Sequence, residues 1–324
     1  MRRIALGTTG ISTSQLGFGC SRLTALGSRR EAIALLESAY ACGITHFDVA
    51  RIYGFGRSEG ILGEFLRGKR DGVTVATKFG ILPPSGLSGN PGLIQVAKKI
   101  LGPFPKLLGR LRQRGASNTK MGVFTAENAV QSLELSLREL GTDFVDVFFL
   151  HEATLADAES EPLIEALQLQ VKRGTIRSFG LATDFAKLQE DAGRVPAAYR
   201  ILQFDDNAAS RNLSRLSHYE NFSIITHSVF QPFARIREAS AAHLEWTQKY
   251  SRQMALDLTD AKVLGALLVQ YALHSNASGI TLFSTTDPRR VDLNARDAYA
   301  CAFSEEQLTD FVEFLDLVLR PLAP

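Results

Sequence analysis

Four polar side chains stand at or just beyond the ends of apolar runs: Asp48 and Tyr53 in "FDVARIY", Lys78 in "VTVATKF" and His151 in "DVFFLH". Their types suit proton transfer to a carbonyl oxygen. A phenol is a poor acid near neutral pH, but a neighbouring ammonium favours its ionised form, and a carboxylate keeps that ammonium charged and oriented. The expectation is a Tyr53 whose pKa is lowered by Lys78, with Asp48 behind the lysine. His151 would fix a substrate carbonyl oxygen and help polarise it for attack on carbon. Each residue alone has an ordinary explanation, as turn former, rim aromatic or satisfied core histidine. Four complementary groups at strand ends do not.

Such residues must be brought together by a scaffold, and strand-like runs alternate with helix-like ones along the chain. Eight candidate strands span 15–20, 46–50, 73–79, 146–151, 176–182, 201–205, 223–227 and 280–285. Between them lie helical patterns with defined ends: Ser28 opens one that Gly43 closes, and Thr125 opens another that Gly141 closes. Eight βα units predict an α/β fold, a (β/α)8 TIM barrel, whose active sites lie at the C-terminal ends of the strands. An N-terminal β-hairpin is expected in "RIALGTTGISTS" and an additional C-terminal helix in "SEEQLTDFVEFLDLVL". The 324 residues are read as one barrel domain, 1–324. Residues 81–126 interrupt its rhythm with seven Lys/Arg, no Asp/Glu and clustered Pro and Gly, as an insertion in the loop after strand three. That position suits an element that sets substrate range.

A formal charge of +2 gives no reason to expect a nucleic-acid partner, and no apolar run approaches the length of a membrane span. Three widely spaced cysteines, Cys20, Cys42 and Cys301, form neither a disulfide framework nor a metal cluster and fit a cytoplasmic location. His151–Glu152 has no further ligand at metal-like spacing, so no metal is expected. No G-x-G-x-x-G lies between a strand and a helix, so a nicotinamide cofactor would not be held in a Rossmann site.

With "LGTTGISTSQLGFGC", "FDVARIYGFGRSEGILGEFL", "VTVATKFG", "SLELSLRELGTDFVDVFFLH", "RGTIRSFGLAT", "LQFDDN" and "LFSTTDPRRVDLNARDA" in this order, most of the chain resembles the aldo-keto reductase superfamily. The resemblance implies a barrel closed below by a hairpin and a catalytic tetrad of Asp48, Tyr53, Lys78 and His151. It also implies a dinucleotide extended across the barrel mouth. Its carboxamide would be bound after strands five and six, where Thr183 replaces a common Asn and Gln203 and Asn207 are on offer. His227, followed by Ser228, would take the nicotinamide-stacking place after strand seven. Ser284, Thr285 and Thr286 with the start of the next helix form a candidate phosphate cradle, and Asn294 fits the adenine end. Arg290, one turn inside that helix, favours a 2′-phosphate and therefore NADP(H). The expected enzyme is an NADP-dependent oxidoreductase acting on an aldehyde or ketone, with Tyr53 as general acid/base. Two alternatives are an NAD-dependent sugar 1-dehydrogenase and a nucleotide-binding regulatory subunit with little turnover. The partner is a small carbonyl or sugar substrate; the sequence specifies no oligomeric state.

Overall fold

Eight short parallel strands close on themselves. They are β3 (Leu16–Gly19), β4 (His46–Asp48), β5 (Thr74–Phe79), β6 (Val145–His151), β7 (Ile176–Ala182), β8 (Ile201–Asp205), β9 (Ser223–His227) and β10 (Ile280–Phe283). The computed structural model describes residues 1–82, 122–188, 191–299 and 303–319. Each strand pairs with its sequence neighbour, and β10 pairs with β3 through Thr281 opposite Leu16 and Phe283 opposite Phe18, which seals the barrel.

Successive side chains of a strand point to opposite faces, so residue parity decides which side each one takes. In β6, Val147 and Phe149 pack in the barrel interior, while Phe148 and Leu150 join the layer beneath the helices. The same alternation turns Ala76 and Lys78 of β5 inward and, in β8, Ile201 and Gln203. His151 continues the inward series of β6 to the rim. Lys78, Gln203 and His151 thus face the mouth from the upper end, above an interior of apolar side chains and, lower still, the buried pair His46 Nδ1 and Thr74 Oγ1, 2.9 Å apart.

The bottom is closed by the hairpin of β1 (Arg3–Ala5) and β2 (Ser12–Ser14), paired antiparallel with Ile4 opposite Thr13. Its Ile4, Leu6 and Ile11 pack with Ile201, Ile225 and Ile280 in the interior cluster. Burying an aliphatic side chain of this size is worth roughly 1.5–3 kcal/mol, so the plug is an integral part of the core.

Outside lie α1 (Arg29–Ala41), α2 (Arg57–Leu66), α3 (Ala126–Leu140), α4 (Glu161–Arg173), α5 (Phe233–Ala242), α6 (Leu244–Met254), α7 (Ala261–Ser275), α8 (Pro288–Asp297) and α9 (Glu305–Val318). The capping residues act as their types predict. Ser28 Oγ accepts from Glu31 N at 3.1 Å, Thr125 Oγ1 from Asn128 N at 3.1 Å, and Gly141 ends α3 at φ 63. Ser304 and Gln307 form a reciprocal capping box at α9, the expected C-terminal helix.

Two expectations need correction. The eight strands are all present, but units five and six carry no full helix among the described residues. After β7 there are only 3₁₀ turns at Phe185–Leu188 and Ala192–Arg194, and after β8 a single turn at Asn212–Arg215. Several strands are also shorter than their apolar runs, because Asp48 and Phe283 already end the ladders at the rim. The basic stretch 81–126 lies largely outside the described residues. Its flanks meet: Val123 N donates to Gly80 O at 3.2 Å, and Phe124 packs edge-on against Phe79. It therefore leaves and re-enters the barrel at one place, the upper end of β5.

Candidate active site

Tyr53 is carried by a tight 3₁₀ turn, Tyr53–Gly56, between β4 and α2. Three consecutive residues after it are left-handed: Gly54 at φ 59, Phe55 at φ 58 and Gly56 at φ 85. At Gly54 a Cβ would stand 2.3 Å from the Thr24 side chain, so glycine alone fits both the backbone and the space. The loop is fastened from beneath by the buried Glu59, in the first turn of α2. Glu59 accepts from Arg51 Nη1 at 2.9 Å and from Thr77 Oγ1 at 2.7 Å, beside Lys78. These three anchors escaped the sequence reading. Their only local signal is an acid in the first helical turn, eight residues beyond an arginine on the preceding loop.

Asp48, Tyr53, Lys78 and His151 line one cavity of about 470 Å³ at the barrel mouth. The buried Lys78 Nζ contacts Asp48 Oδ1 and donates to Val49 O at 3.2 Å. The other Asp48 oxygen accepts from Gln203 Nε2 at 2.8 Å. The Tyr53 ring lies 5.3 Å from Lys78 Nζ and meets His151 edge-on, with ring centroids 5.9 Å apart.

The electrostatics follow from burial. Burial acts most strongly on Lys78 and pulls its pKa down, but the Asp48 charge and the Tyr53 and Asp48 hydrogen bonds outweigh it and hold the ammonium above its ordinary value. For Tyr53, burial is again the largest effect and pushes the phenol up; the charge and hydrogen bond of Lys78 pull it back without overcoming it. The expectation of a lowered pKa is thus corrected. Tyr53 keeps its proton at neutral pH, while the lysine limits the cost of losing it. His151 is driven down to about 3, by burial first and then by Lys78, and so is neutral. Burial lowers His227 as well.

Thr183, Gln203, His227, Ser228 and Ser284 line the same cavity. Thr183 donates its hydroxyl proton to Ala153 O at 3.0 Å, and His227 Nδ1 lies 2.9 Å from Ser228 Oγ. Ser284 Oγ is buried with no hydrogen-bond partner, an unmet polar group of the kind a ligand oxygen would satisfy. Thr285, Thr286, Arg290 and Asn294 stand beyond the cavity wall. Thr285 Oγ1 accepts from Asp287 N at 3.1 Å, and Asp287 in turn caps α8 and pairs with Arg289. The first turn of α8, part of the expected phosphate cradle, thus carries a carboxylate cap. Arg290 is exposed and its side chain makes no ion pair or hydrogen bond among the described residues. Asn207, offered beside Gln203, is not itself on the cavity wall: its Oδ1 accepts from Ala209 N and Ser210 N at 3.0 Å, and its Nδ2 donates to Gln231 of the wall at 3.4 Å.

One further wall residue was not foreseen. Glu152, next to His151, adopts φ 61, and Lys187 Nζ clamps it at its carbonyl (2.9 Å) and its carboxylate (2.7 Å). A non-glycine residue held in this region costs of order 1 kcal/mol, so the clamp sets the path of the backbone that carries His151. Among the described residues no three His, Cys, Asp or Glu side chains are placed to hold a metal ion. No helix among them is long and apolar enough to cross a membrane.

Comparison with known proteins extends over almost the whole length. The model of the "Aldo/keto reductase family" matches residues 15–316. A 6-dehydroglucose reductase of Agrobacterium fabrum is 31% identical over 199 residues, covering 58% of this chain and 57% of that protein. The match spans about half the length of the curated relatives. An aldo-keto reductase of Bacillus halodurans in its holo form superposes with a TM-score of 0.71 at 20% identity, covering 97% of this chain and 96% of the other. An aldo-keto reductase of Klebsiella pneumoniae in complex with NADPH gives 0.66 at 18% identity, covering 100% and 97%.

Proposed function

The chain belongs to the aldo/keto reductase family, and from that premise we propose that it reduces a small aldehyde or ketone with NADPH, reversibly, using Tyr53 as general acid and base. One observation carries the reading: a half-buried, protonated phenol stands beside a buried ammonium whose counter-ion is fixed, on the wall of a cavity it shares with a neutral histidine.

When bound, the nicotinamide supplies or takes up the hydride at the carbonyl carbon. The remaining chemistry belongs to this chain. Tyr53 gives its proton to the carbonyl oxygen as charge develops there, and Lys78 stabilises the phenolate left behind. Asp48, held by Gln203 as well as by Lys78, keeps the ammonium in place. His151, being neutral, donates a hydrogen bond to the oxygen without adding a second proton source. In the oxidative direction the phenolate accepts the alcohol proton. The Ser284 hydroxyl and the Arg290 guanidinium, both without a partner among the described residues, fit the phosphate-bearing end of the cofactor, and the arginine favours the 2′-phosphate of NADP. The Klebsiella pneumoniae neighbour, bound to NADPH, supports this choice.

The wall of the cavity also bears Gln203, His227, Ser228 and Gln231, donors and acceptors suited to a hydroxylated substrate. That favours polar carbonyl compounds, in line with the 6-dehydroglucose reductase relative, and keeps sugar oxidation with NAD as the second reading. Following nicotinamide absorbance with NADPH and NADH against aldehydes, ketones and sugars tests both. NADPH consumption with at least one polar aldehyde is expected; no turnover with any substrate and either cofactor would defeat the enzymatic reading and favour a regulatory nucleotide-binding role.

A further inference from the structure

A second cleft lies outside the barrel, between the loop that carries Tyr53, the outer face of α2 and the C-terminal end of α3. Its volume is about 560 Å³, and five guanidinium groups line it: Arg29, Arg51, Arg57, Arg67 and Arg138. Two are neutralised. Glu64 on the same wall pairs with Arg29, and Glu59 behind the wall pairs with Arg51 at 2.9 Å. Among the described residues the Arg57 side chain donates only to the Gly54 carbonyl, at 3.2 Å, and the Arg67 and Arg138 side chains make no ion pair or hydrogen bond. Glu139 is the single lining carboxylate left to set against these three cations.

Surface arginines usually find carboxylates or spread apart, and like charges gathered in a concave, partly desolvated wall raise the local potential. The floor is kept bare by glycine. Gly63 lets the α3 backbone approach, since a Cβ there would stand 2.5 Å from the Glu139 carbonyl oxygen, and at Gly60 a Cβ would stand 3.1 Å from the Glu139 carboxylate and 3.8 Å from the Arg29 guanidinium. A guanidinium presents a planar fork that matches phosphate oxygens, and several forks around one open floor suit a compact ligand with more than one negative charge. At the edge Phe55 is 43% exposed in its left-handed conformation and presents an aromatic face to the cleft.

We propose that this cleft is a binding site for a small phosphate-bearing polyanion, separate from the cofactor site, and that its occupancy acts on the Tyr53 loop. The link is Arg57. Its guanidinium holds the Gly54 carbonyl, the first peptide oxygen after Tyr53, so an anion that recruits Arg57 competes for the bond that ties down the catalytic turn. The binding claim does not depend on the catalytic reading: a chain that reduces no carbonyl compound would still answer it.

The test is calorimetric titration of inorganic pyrophosphate into the full chain at fixed ionic strength, with NADPH saturating so that pyrophosphate cannot enter the cofactor site. Saturable binding of one anion per chain is expected, weakened about tenfold or more in Arg67→Ala/Arg138→Ala, the scale of losing charge-assisted contacts. Both residues are exposed and remote from the tetrad, so the variant's rate without pyrophosphate should equal that of the wild type. Saturating pyrophosphate should change kcat in the wild type and leave the double variant unaffected. Absence of saturable binding, or equal affinity in the double variant, overturns the site; a wild-type rate indifferent to saturating pyrophosphate overturns its link to Tyr53.

Discussion

At the chemical end of the main cavity the polar side chains are tied to one another, whereas at the end beyond β10 they are left open. Asp48 holds Lys78 and Gln203, Lys78 lies against Tyr53, and Glu59 and Lys187 fasten the flanking loops from behind. Beyond β10, Ser284 Oγ is buried without a partner among the described residues, and the Arg290 side chain has none among them either. On the proposed function, the difference separates two tasks. Groups that must stabilise charge during a reaction gain from being oriented in advance, because no reorganisation is then needed. Groups that hold a ligand's phosphates must keep their donors free until the ligand arrives.

The contrast predicts that substitutions at the closed end damage rate and stability together, and at the open end affinity alone. Lys78→Met should give the largest effect. Reduction should fall by about 10²–10⁴-fold, and the fold should lose roughly 3–5 kcal/mol, because Asp48 is left buried without its cation. Chemical denaturation and steady-state kinetics measure the two losses. In Asp48→Asn/Lys78→Met most of the stability should return while activity stays lost; if stability does not return, the pair is not the source of the cost.

Next in size, Arg290→Ala should weaken NADPH by about 10–100-fold and leave NADH nearly unchanged, since a charge-assisted contact to phosphate is worth roughly 1.5–3 kcal/mol. Fluorescence titration of both cofactors decides this; equal losses would make Arg290 a structural residue and weaken the contrast. Smaller again, Lys187→Met should lower kcat by about 3–10-fold through the freed Glu152–His151 backbone, a strain of order 1 kcal/mol, with NADPH affinity unchanged. Lys187→Arg should recover most of the rate. A change in melting temperature with no change in kcat would show that the clamp is structural only.

The smallest expected effect is on pH dependence. His151 is neutral down to about pH 3, and Tyr53 and Lys78 both hold their protons above their ordinary values. The sign follows: neither the histidine nor the phenol changes charge between pH 5 and 8, so kcat for reduction should vary by less than about twofold there. A step near the ordinary histidine value would mean that His151 is charged in the resting site.

Much of the closed end was legible in the chain, because a buried parallel strand is an apolar run and a polar residue at its end stands out against it. That logic located Asp48, Lys78 and His151, and the glycines after Tyr53 marked its turn. It missed what holds them. Gln203 reaches Asp48 across 155 residues of sequence, and Lys187 reaches Glu152 across 35. Such pairs have no local pattern, since they form only when the barrel closes. The sign of the Tyr53 shift was misread for the same reason: the charge of Lys78 is visible in sequence, but the depth of burial that outweighs it is not. At the open end the residue types were legible, but the Asp287 cap on α8 showed only in three dimensions how much of the cradle was already used.

The central claim is that Tyr53 is the proton donor of a cavity otherwise built to hold cofactor and substrate, and Tyr53→Phe isolates that role by removing one hydroxyl and nothing else. Cofactor affinity and carbonyl turnover should be measured on the same preparation, by NADPH fluorescence titration and by absorbance with the best polar aldehyde. The account predicts an NADPH dissociation constant within about twofold of wild type and a turnover reduced by about 10²–10⁴-fold. A variant that binds NADPH normally and keeps more than half of the wild-type turnover would contradict it.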